Sequence, residues 1–295
     1  MFKLSTPAKL ALHLANLLVI AVILLPLAAV VIGSIQSEKS LQADTRRILP
    51  PEVTFDNFLL ILSQGEQRGR IFEQATYLPD NIKKFYRAFA NSLIVASSVT
   101  FLTLLFGALS AYTIARLRYR WTLFLLQANI VSRFVPAIVL MIPLYIVMRS
   151  LGQLNSLGGV ILAETGFLLP YAILILAPYF DAIPSELEEA ARIDGCSRLG
   201  VLWRVVLPLS GPALATVAVV TFLWTWNDFL WPLIVITSTD HNTVQLGLAN
   251  FQGAHLTNWT LLMAGNVMSL APMLIVFVVA QRFFVRSIAA SGIKG

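Results

Sequence analysis

The sequence predicts an all-α membrane protein with six transmembrane helices and with both termini in the cytoplasm. Three observations lead to this fold class: the composition, six long apolar stretches, and the placement of Lys and Arg between them. Of the 295 residues, 57% are hydrophobic and only 12% are charged, and the mean hydropathy is +0.77. A soluble domain carries about 25% charged residues, so we expect this chain to lie in a lipid bilayer.

Six stretches are long and apolar enough to cross a membrane, since a spanning helix needs about 20 such residues. The first is longer than the apolar part of a signal peptide and is not followed by a clear cleavage site, so we expect it to be a retained helix. The stretches cover residues 10–33, 89–115, 121–148, 157–180, 212–236 and 259–280.

The short loops between these stretches set the orientation. Arg116, Arg118 and Arg120 separate the second stretch from the third, whereas the third and fourth are separated by Arg149 alone. Cytoplasmic loops carry the excess of Lys and Arg, so both termini are predicted to be cytoplasmic. The same excess accounts for the net charge of +6 without any nucleic-acid partner.

The whole chain, 1–295, is expected to form a single transmembrane domain with three parts outside the bilayer. Residues 34–87 form an external segment of mixed charge, in which PPEVTFDNFLLIL predicts a short helix after a Pro-Pro turn. Residues 181–208 form a cytoplasmic loop, and residues 282–295 form a cytoplasmic tail.

The cytoplasmic loop predicts two helices joined at a glycine. Ser185 with Glu188 three residues later is typical of a capping box, in which each side chain caps a backbone N–H of the other residue. Gly195 is expected to end the first helix, and a second amphipathic segment leads to Leu207-Pro208. The pattern alone also fits a surface helix that shields the membrane interface.

The spacing within this loop resembles a known signature. Glu189-Ala190-Ala191 is followed after three residues by Gly195, then after nine by Val205, and then by Leu207-Pro208. This is similar to the signature loop of membrane subunits in binding-protein-dependent ABC importers. The segments IPSELEEAARIDG, FANSLIVA and WTWNDFLWPLIV resemble the sugar-importer branch, the relatives of the smaller membrane subunit of the maltose importer.

The resemblance implies the type I importer permease fold and a coupling helix that docks on an ATP-hydrolysing subunit. Glu189 would meet basic groups of that subunit, the two alanines would permit close packing, and Gly195 would supply the tight turn. The coupling residues implied are Glu189, Ala190, Ala191, Asp194, Gly195, Leu207 and Pro208. The tail, through Gly292, Lys294 and Gly295, would reach between two ATPase subunits.

The partners follow from the same resemblance. No G-x-x-x-x-G-K-[ST] motif is present, so ATP and magnesium are expected on two copies of a separate subunit, and the chain is not expected to be an enzyme. A second, homologous permease, an external solute-binding protein, membrane lipid and a sugar substrate complete the expected partners. One cysteine and three distant histidines make a metal site improbable.

Three charged residues fall within predicted spans, where charge is costly: Arg133, Glu164 and Asp228. Arg133 either pairs with one of the two acids or meets an anionic sugar such as a uronate. Glu164, near the outer start of its span, is expected to be simply solvated, and Asp228 to serve structure or gating.

The aromatic fifth span supplies two further candidates for the transport pathway, Trp226 and Asn227. Tryptophan rings can stack on sugar faces, although a place in helix packing or in an interfacial belt is the more common one.

Two alternatives to a sugar importer remain open. The signature loop is shared with importers of other solutes, such as glycerol phosphate or polyamines. A secondary transporter driven by an ion gradient would leave the loop without a partner, and a membrane-anchored structural protein fits badly with charged residues inside spans. The sequence leaves homodimer and heterodimer open, although the resemblance favours a heterodimer.

Overall fold

The structure is a computed structural model, which describes residues 6–43, 50–63, 80–117, 121–252 and 257–291. Within these ranges every regular element is helical, apart from one isolated β-bridge between Gln252 and Thr257. The all-α prediction is therefore confirmed for the described part of the chain. The predictions for Gly292, Lys294 and Gly295 lie outside the described residues.

The helices follow one another with short connections and are numbered here in chain order. Two five-residue π-helical segments, Thr113–Leu117 and Leu202–Val206, also occur. The helices are α1 (Thr6–Ser34), α2 (Glu38–Ala43), α3 (Asp56–Leu62), α4 (Phe85–Tyr112), α5 (Thr122–Ser132), α6 (Ala137–Ser150), α7 (Leu157–Asp181), α8 (Ser185–Ile193), α9 (Arg198–Val201), α10 (Leu207–Leu209), α11 (Gly211–Asn227), α12 (Leu230–Val235), α13 (Val244–Ala249) and α14 (Trp259–Ser291).

Four helical stretches are long and apolar enough to cross a membrane by themselves: Thr6–Ser34, Ile82–Leu117, Leu157–Asp181 and Trp259–Phe283. They coincide with the first, second, fourth and sixth predicted stretches. Two bent pairs bring the number to six if each pair forms one span. Among the described residues the count is therefore four to six, and six remains a prediction, as does the orientation of the termini.

The third predicted stretch is not one continuous helix. It divides into α5 and α6, which meet at an angle of 105°. Pro136 is the N-cap residue of α6 and has extended backbone angles (φ −59°, ψ 133°). Proline has no N–H for the helix ladder and disfavours helical geometry in the residue before it, so the chain breaks over Arg133–Pro136 instead of bending gently.

The fifth predicted stretch is also interrupted. Asp228 ends α11 in an extended conformation (ψ 127°), and its carboxylate accepts a hydrogen bond at 3.1 Å from the backbone N–H of Leu230 at the start of α12. At its other end, α11 meets the segment Arg198–Leu209 at 82°. Asp228 therefore lies at a helix break, and its expected role in structure or gating stays a prediction.

The chain divides into two compact units. The first comprises Met1–Tyr86 and Gly247–Ala271. In it, the predicted short helix after the Pro-Pro turn is confirmed as α3. Asn57 of α3 is buried and donates through Nδ2 to the carbonyls of Ser34 and Gln36, each at 2.9 Å. The Glu38 carboxylate accepts from the backbone N–H of Thr260 at 2.9 Å, which ties α2 to the start of α14.

The second unit comprises Arg87–Leu246 and Pro272–Gly295. One of its apolar cores is formed by α4, α7, α11 and the loop of residues 181–208, and includes Ala111, Leu176 and Phe180, all completely buried. Small residues let α4 and α7 approach closely, since a Cβ added at Gly107 would lie 2.8 Å from Ala172 Cβ. This core holds the loop that carries the signature residues.

Candidate functional site

Helix α8 begins at Ser185 as predicted, but the predicted capping box is wrong. The N-cap residue is Pro184, which makes no side-chain cap. The Glu188 carboxylate does not serve as a cap either, because it is engaged by side chains of another element. Pro184 instead fixes an extended backbone (φ −55°, ψ 128°) that directs the chain into the helix.

Glu188 is buried against the end of α4. Its Oε1 lies 2.6 Å from Arg116 Nε, and its Oε2 accepts from the Tyr112 hydroxyl at 3.1 Å. The side chain is 2% exposed, and that of Arg116 is 13% exposed. A buried carboxylate is tolerated when an opposite charge and hydrogen bonds compensate its lost hydration, and here both are present.

The end of α8 confirms the role predicted for Gly195 in ending the helix. Asp194 is the C-cap residue and Gly195 follows with φ +86°, in the left-handed region. The N–H of Gly195 donates to Arg192 O at 3.0 Å, and that of Cys196 donates to Ala191 O at 2.9 Å. These two bonds form a Schellman motif, which satisfies carbonyls that the last helical turn leaves free.

A second helix begins immediately after this turn. Ser197 caps α9, because its hydroxyl accepts from the Gly200 N–H at 3.1 Å. Leu207 and Pro208 lie in α10, the short helix that follows the π-helical segment, and Leu207 packs partly buried against the core. The predicted helix–Gly–helix arrangement is thus present, and its second helix is continued by π-helical and α-helical turns.

The outer face of this arrangement is exposed. Glu189 and Ala190 lie on the exposed surface of α8, next to the buried Glu188. Several large apolar side chains of the same element are also exposed: Leu187, Ile193, Leu199 and Trp203, with Ile193 at 87%. An exposed apolar surface rimmed by polar residues is typical of a protein–protein contact.

A cavity of about 420 Å³ brings together the three charged residues of the predicted spans. Arg133 lines it at the break between α5 and α6, Glu164 from α7, and Asp228 at the break between α11 and α12. The cavity exists because the ends of the broken helices leave space that a continuous helix would fill. Aromatic side chains complete the wall: Phe167, Tyr171, Trp224 and Trp231.

Arg133 makes neither of the predicted ion pairs among the described residues. Its Nη1 donates to Phe167 O at 3.2 Å, and its guanidinium lies over the Tyr171 ring, 5.6 Å from the centroid. These contacts fix the side chain to α7 and leave further N–H groups at the cavity, since a guanidinium has five.

Glu164 is not solvated, so that expectation is wrong. It is 3% exposed, and its carboxyl group interacts with the side chains of Thr225 and Asp228. These two neighbours replace water around the buried carboxyl group.

The structure separates the two remaining candidates of the fifth span from the cavity. Trp226 is 1% exposed and packs between Phe222, stacked at 5.8 Å, and Phe89, edge to face at 5.3 Å. Asn227 donates to Leu223 O at 2.7 Å and lines a shallower depression beside Trp224. Trp224, by contrast, is 62% exposed.

The contacts among Glu188, Arg116 and Tyr112 are not predicted by the sequence, whose pattern assigns Glu188 to a cap and Arg116 to the charge balance of a loop. The available signal was the pair of adjacent acids, Glu188 and Glu189, since two neighbouring residues of a helix cannot share one face.

The long apolar helices, the exposed loop that carries the signature residues and the cavity at broken helices fit an integral membrane transport protein. Residues 79–290 match the family described as the binding-protein-dependent transport system inner membrane component, and the chain belongs to this family. It is therefore a permease of the inner membrane, with the type I ABC permease fold. This confirms the resemblance that the signature loop carries.

Individual relatives cover most of the chain. The chain is 31% identical to the arabinooligosaccharides transport system permease protein AraQ of Halalkalibacterium halodurans, over 92% of this chain and 91% of that protein. It is 32% identical to the trehalose/maltose transport system permease protein MalG of Thermococcus litoralis, over 78% and 83%. Its fold matches a bacterial ABC transporter involved in the import of the acidic polysaccharide alginate, with a TM-score of 0.77, 24% identity and coverage of 96% and 99%.

Proposed function

We propose that this chain is the membrane subunit of an ATP-driven importer that moves a sugar or oligosaccharide into the cytoplasm, with α8 as its coupling helix. The observation that carries the proposal is the construction of α8. Its inner face is held to the protein by Glu188, while Glu189, Ala190 and the Gly195 turn are exposed beside unpartnered apolar side chains. Such a surface suits a cleft of a separate subunit.

The residues of the coupling surface have distinct roles in this proposal. Glu189 pairs with basic groups of the ATPase, and Ala190 and Ala191 allow close approach. Asp194 and Gly195 shape the turn that enters the cleft, and Leu207-Pro208 leads the chain back to α11. The tail residues Gly292, Lys294 and Gly295 reach between two ATPase subunits, which bind ATP and magnesium.

Transport then follows from a shift between two states of the permease. Closure of the ATPase pair moves α8, and the helices of this chain and of a homologous second permease rock against each other. The pathway is exposed alternately to the outside and the inside. An external solute-binding protein delivers the substrate, in keeping with the family to which the chain belongs.

Two features support a carbohydrate substrate. The relatives named above are permeases for arabino-oligosaccharides and for trehalose or maltose. The cavity combines hydrogen-bonding groups with aromatic walls, which is the combination that sugar hydroxyls and sugar faces require. Arg133, Glu164 and Asp228 are the proposed polar contacts along the pathway.

An acidic sugar is the second candidate, and the unpaired state of Arg133 favours it. A guanidinium that lines a cavity without an ion pair can bind a carboxylate in bidentate geometry. The two acids of the same cavity oppose an anion and favour a neutral sugar, so the two candidates make different predictions for Arg133.

Co-purification tests the proposal. The chain is expressed with an ATP-hydrolysing subunit, a companion permease and a binding protein of its source organism, and the complex is isolated through a tag on this chain. We expect an ATPase to co-purify, and uptake of labelled maltose, arabino-oligosaccharide or alginate oligosaccharide into vesicles to require ATP. Uptake that persists without the ATPase and responds to an ion gradient would support the secondary-transporter alternative instead.

A further inference from the structure

A single arginine joins three separate segments at the cytoplasmic side of the second unit. Arg116 Nε lies 2.6 Å from Glu188 Oε1 in α8, and its Nη2 donates at 2.5 Å to Ile183 O in the turn between α7 and α8. Arg116 itself belongs to the π-helical segment that ends the α4 span. The end of α4, the end of α7 and the coupling helix therefore meet at one guanidinium group.

Glu188 of α8 is held by two residues at the end of α4. Both of its oxygens are used by the α4 end of the cluster, one by Arg116 and the other by the Tyr112 hydroxyl. Apolar side chains surround the cluster, including Ala115, Ile183 and Val201, each at most 8% exposed. Separating a buried carboxylate from its partners in such surroundings is costly, so α8 and the end of α4 are held together.

The link differs from the packing around it. Apolar contacts have no preferred direction, whereas the ion pair and the hydrogen bond of the Glu188 carboxylate require one geometry. The π-helical segment Thr113–Leu117 strengthens this argument, since such segments interrupt the regular ladder and occur frequently at functional sites.

We infer that Glu188, Arg116 and Tyr112 are positioning residues that transmit displacement of the coupling helix to the α4 span during transport. The inference rests on the proposed function, in which α8 docks on the ATPase, and it assigns the step after docking. Glu189 then faces the ATPase while its neighbour Glu188 faces the permease, so two adjacent acids connect the two proteins in series.

The experiment follows α4 directly in the complete complex. The chain carries Cys196→Ser and Phe101→Cys, and is assembled with its companion permease and ATPase in nanodiscs. Phe101 lies on α4 and is 64% exposed, so a fluorophore can be attached to the new thiol. The fluorescence change is then recorded when ATP and vanadate are added, and binding of the ATPase is measured on the same samples.

We expect the parent chain to respond, and the response to fall about tenfold in Glu188→Gln and about threefold in Tyr112→Phe while the ATPase stays bound. Asp240→Asn is the matched control. It removes another ion pair of α4, Arg87 with Asp240 at 3.0 Å, whose side chains are 52% and 47% exposed. This variant is expected to respond like the parent.

A full response in Glu188→Gln and Tyr112→Phe overturns the inference, even if their yield or thermal stability is lower, because a purely structural role predicts that result. If Glu188→Gln fails to assemble, the fluorescence response of Tyr112→Phe tests the inference, because this variant lacks only one hydroxyl group. A parent chain that binds no ATPase would overturn the proposed function as well, which distinguishes the two failures.

Discussion

Gly107 of α4 packs directly against Ala172 of α7. A Cβ at position 107 would lie 2.8 Å from Ala172 Cβ, which is shorter than real carbon–carbon contacts of this kind. The two helices are apolar at this point, so their proximity depends on the absence of a side chain.

We therefore expect Gly107→Val to destabilise the permease by about 1–3 kcal/mol, because the helices must separate or rotate to accept the side chain. The measurement is the midpoint of thermal unfolding in detergent. Gly166→Ala is the matched control, because Gly166 lies in α7 with nothing within 4 Å of the added Cβ. Equal midpoints for Gly107→Val and the parent chain would show that this contact is not tight.

Gly195 is required by its backbone conformation and not by space. Its φ is +86° and no atom lies within 4 Å of an added Cβ. Gly195→Ala is expected to strain the turn by about 1–2 kcal/mol and to weaken binding of the ATPase, measured by co-purification at increasing salt. Gly152→Ala is a close control, with φ +67° and equally open surroundings in the turn after α6. If both variants lose the ATPase alike, the effect belongs to folding and not to the coupling surface.

Glu189 is exposed on α8, and its proposed partner is basic. Glu189→Lys reverses the charge at the contact, so the affinity for the ATPase is expected to fall at least about tenfold. Glu186→Lys makes the same change of charge on an exposed residue of the first turn of α8 and is expected to have a smaller effect. The two affinities are compared by titration of the purified ATPase into nanodiscs. A larger loss in Glu186→Lys would move the contact to the start of the helix.

Asn57 of α3 is tied to the end of α1 and the residues after it through two hydrogen bonds from one side-chain nitrogen. Asn57→Ala leaves the carbonyls of Ser34 and Gln36 without this donor, and is expected to cost about 2–3 kcal/mol of stability. Thermal unfolding or limited proteolysis of the external segment measures the effect. Leu62→Ala, at a residue of the same helix that is 66% exposed, is expected to change little. Similar losses of stability in both variants would mean that any change in α3 destabilises the protein, and that these two hydrogen bonds make no specific contribution.

Arg133 distinguishes the two substrate candidates. Arg133→Gln keeps a donor at the cavity and removes the charge, so uptake of an acidic oligosaccharide is expected to fall at least about tenfold while a neutral one is affected little. Uptake of labelled alginate oligosaccharide and of labelled maltose by the same vesicles measures the difference. Equal loss for both sugars would exclude a direct charge contact with the substrate.

Much of the coupling element could be predicted from the sequence because its signals are local. A glycine at fixed spacing after a short amphipathic segment predicts a left-handed turn wherever it occurs, and Gly195 adopts one. The cap assigned to Ser185 and Glu188 was wrong for the opposite reason. Arg116 is distant in the chain, and its charge draws Glu188 away from the local partner that a sequence pattern can offer.

The sequence by itself determined the membrane environment, the approximate spans, the signature loop and the family, because apolar length and residue spacing are properties of neighbouring residues. Only the tertiary structure decided that two spans break, that Arg133, Glu164 and Asp228 line one cavity, and that Trp226 packs inside. It also decided which of two adjacent acids is buried. Each of these depends on contacts between helices that are far apart in the chain, and the free energy of those contacts is not encoded in any local pattern. The low number of charged residues first indicated a membrane protein. Some of these residues are exposed to water or to the proposed ATPase, and others hold the helices together.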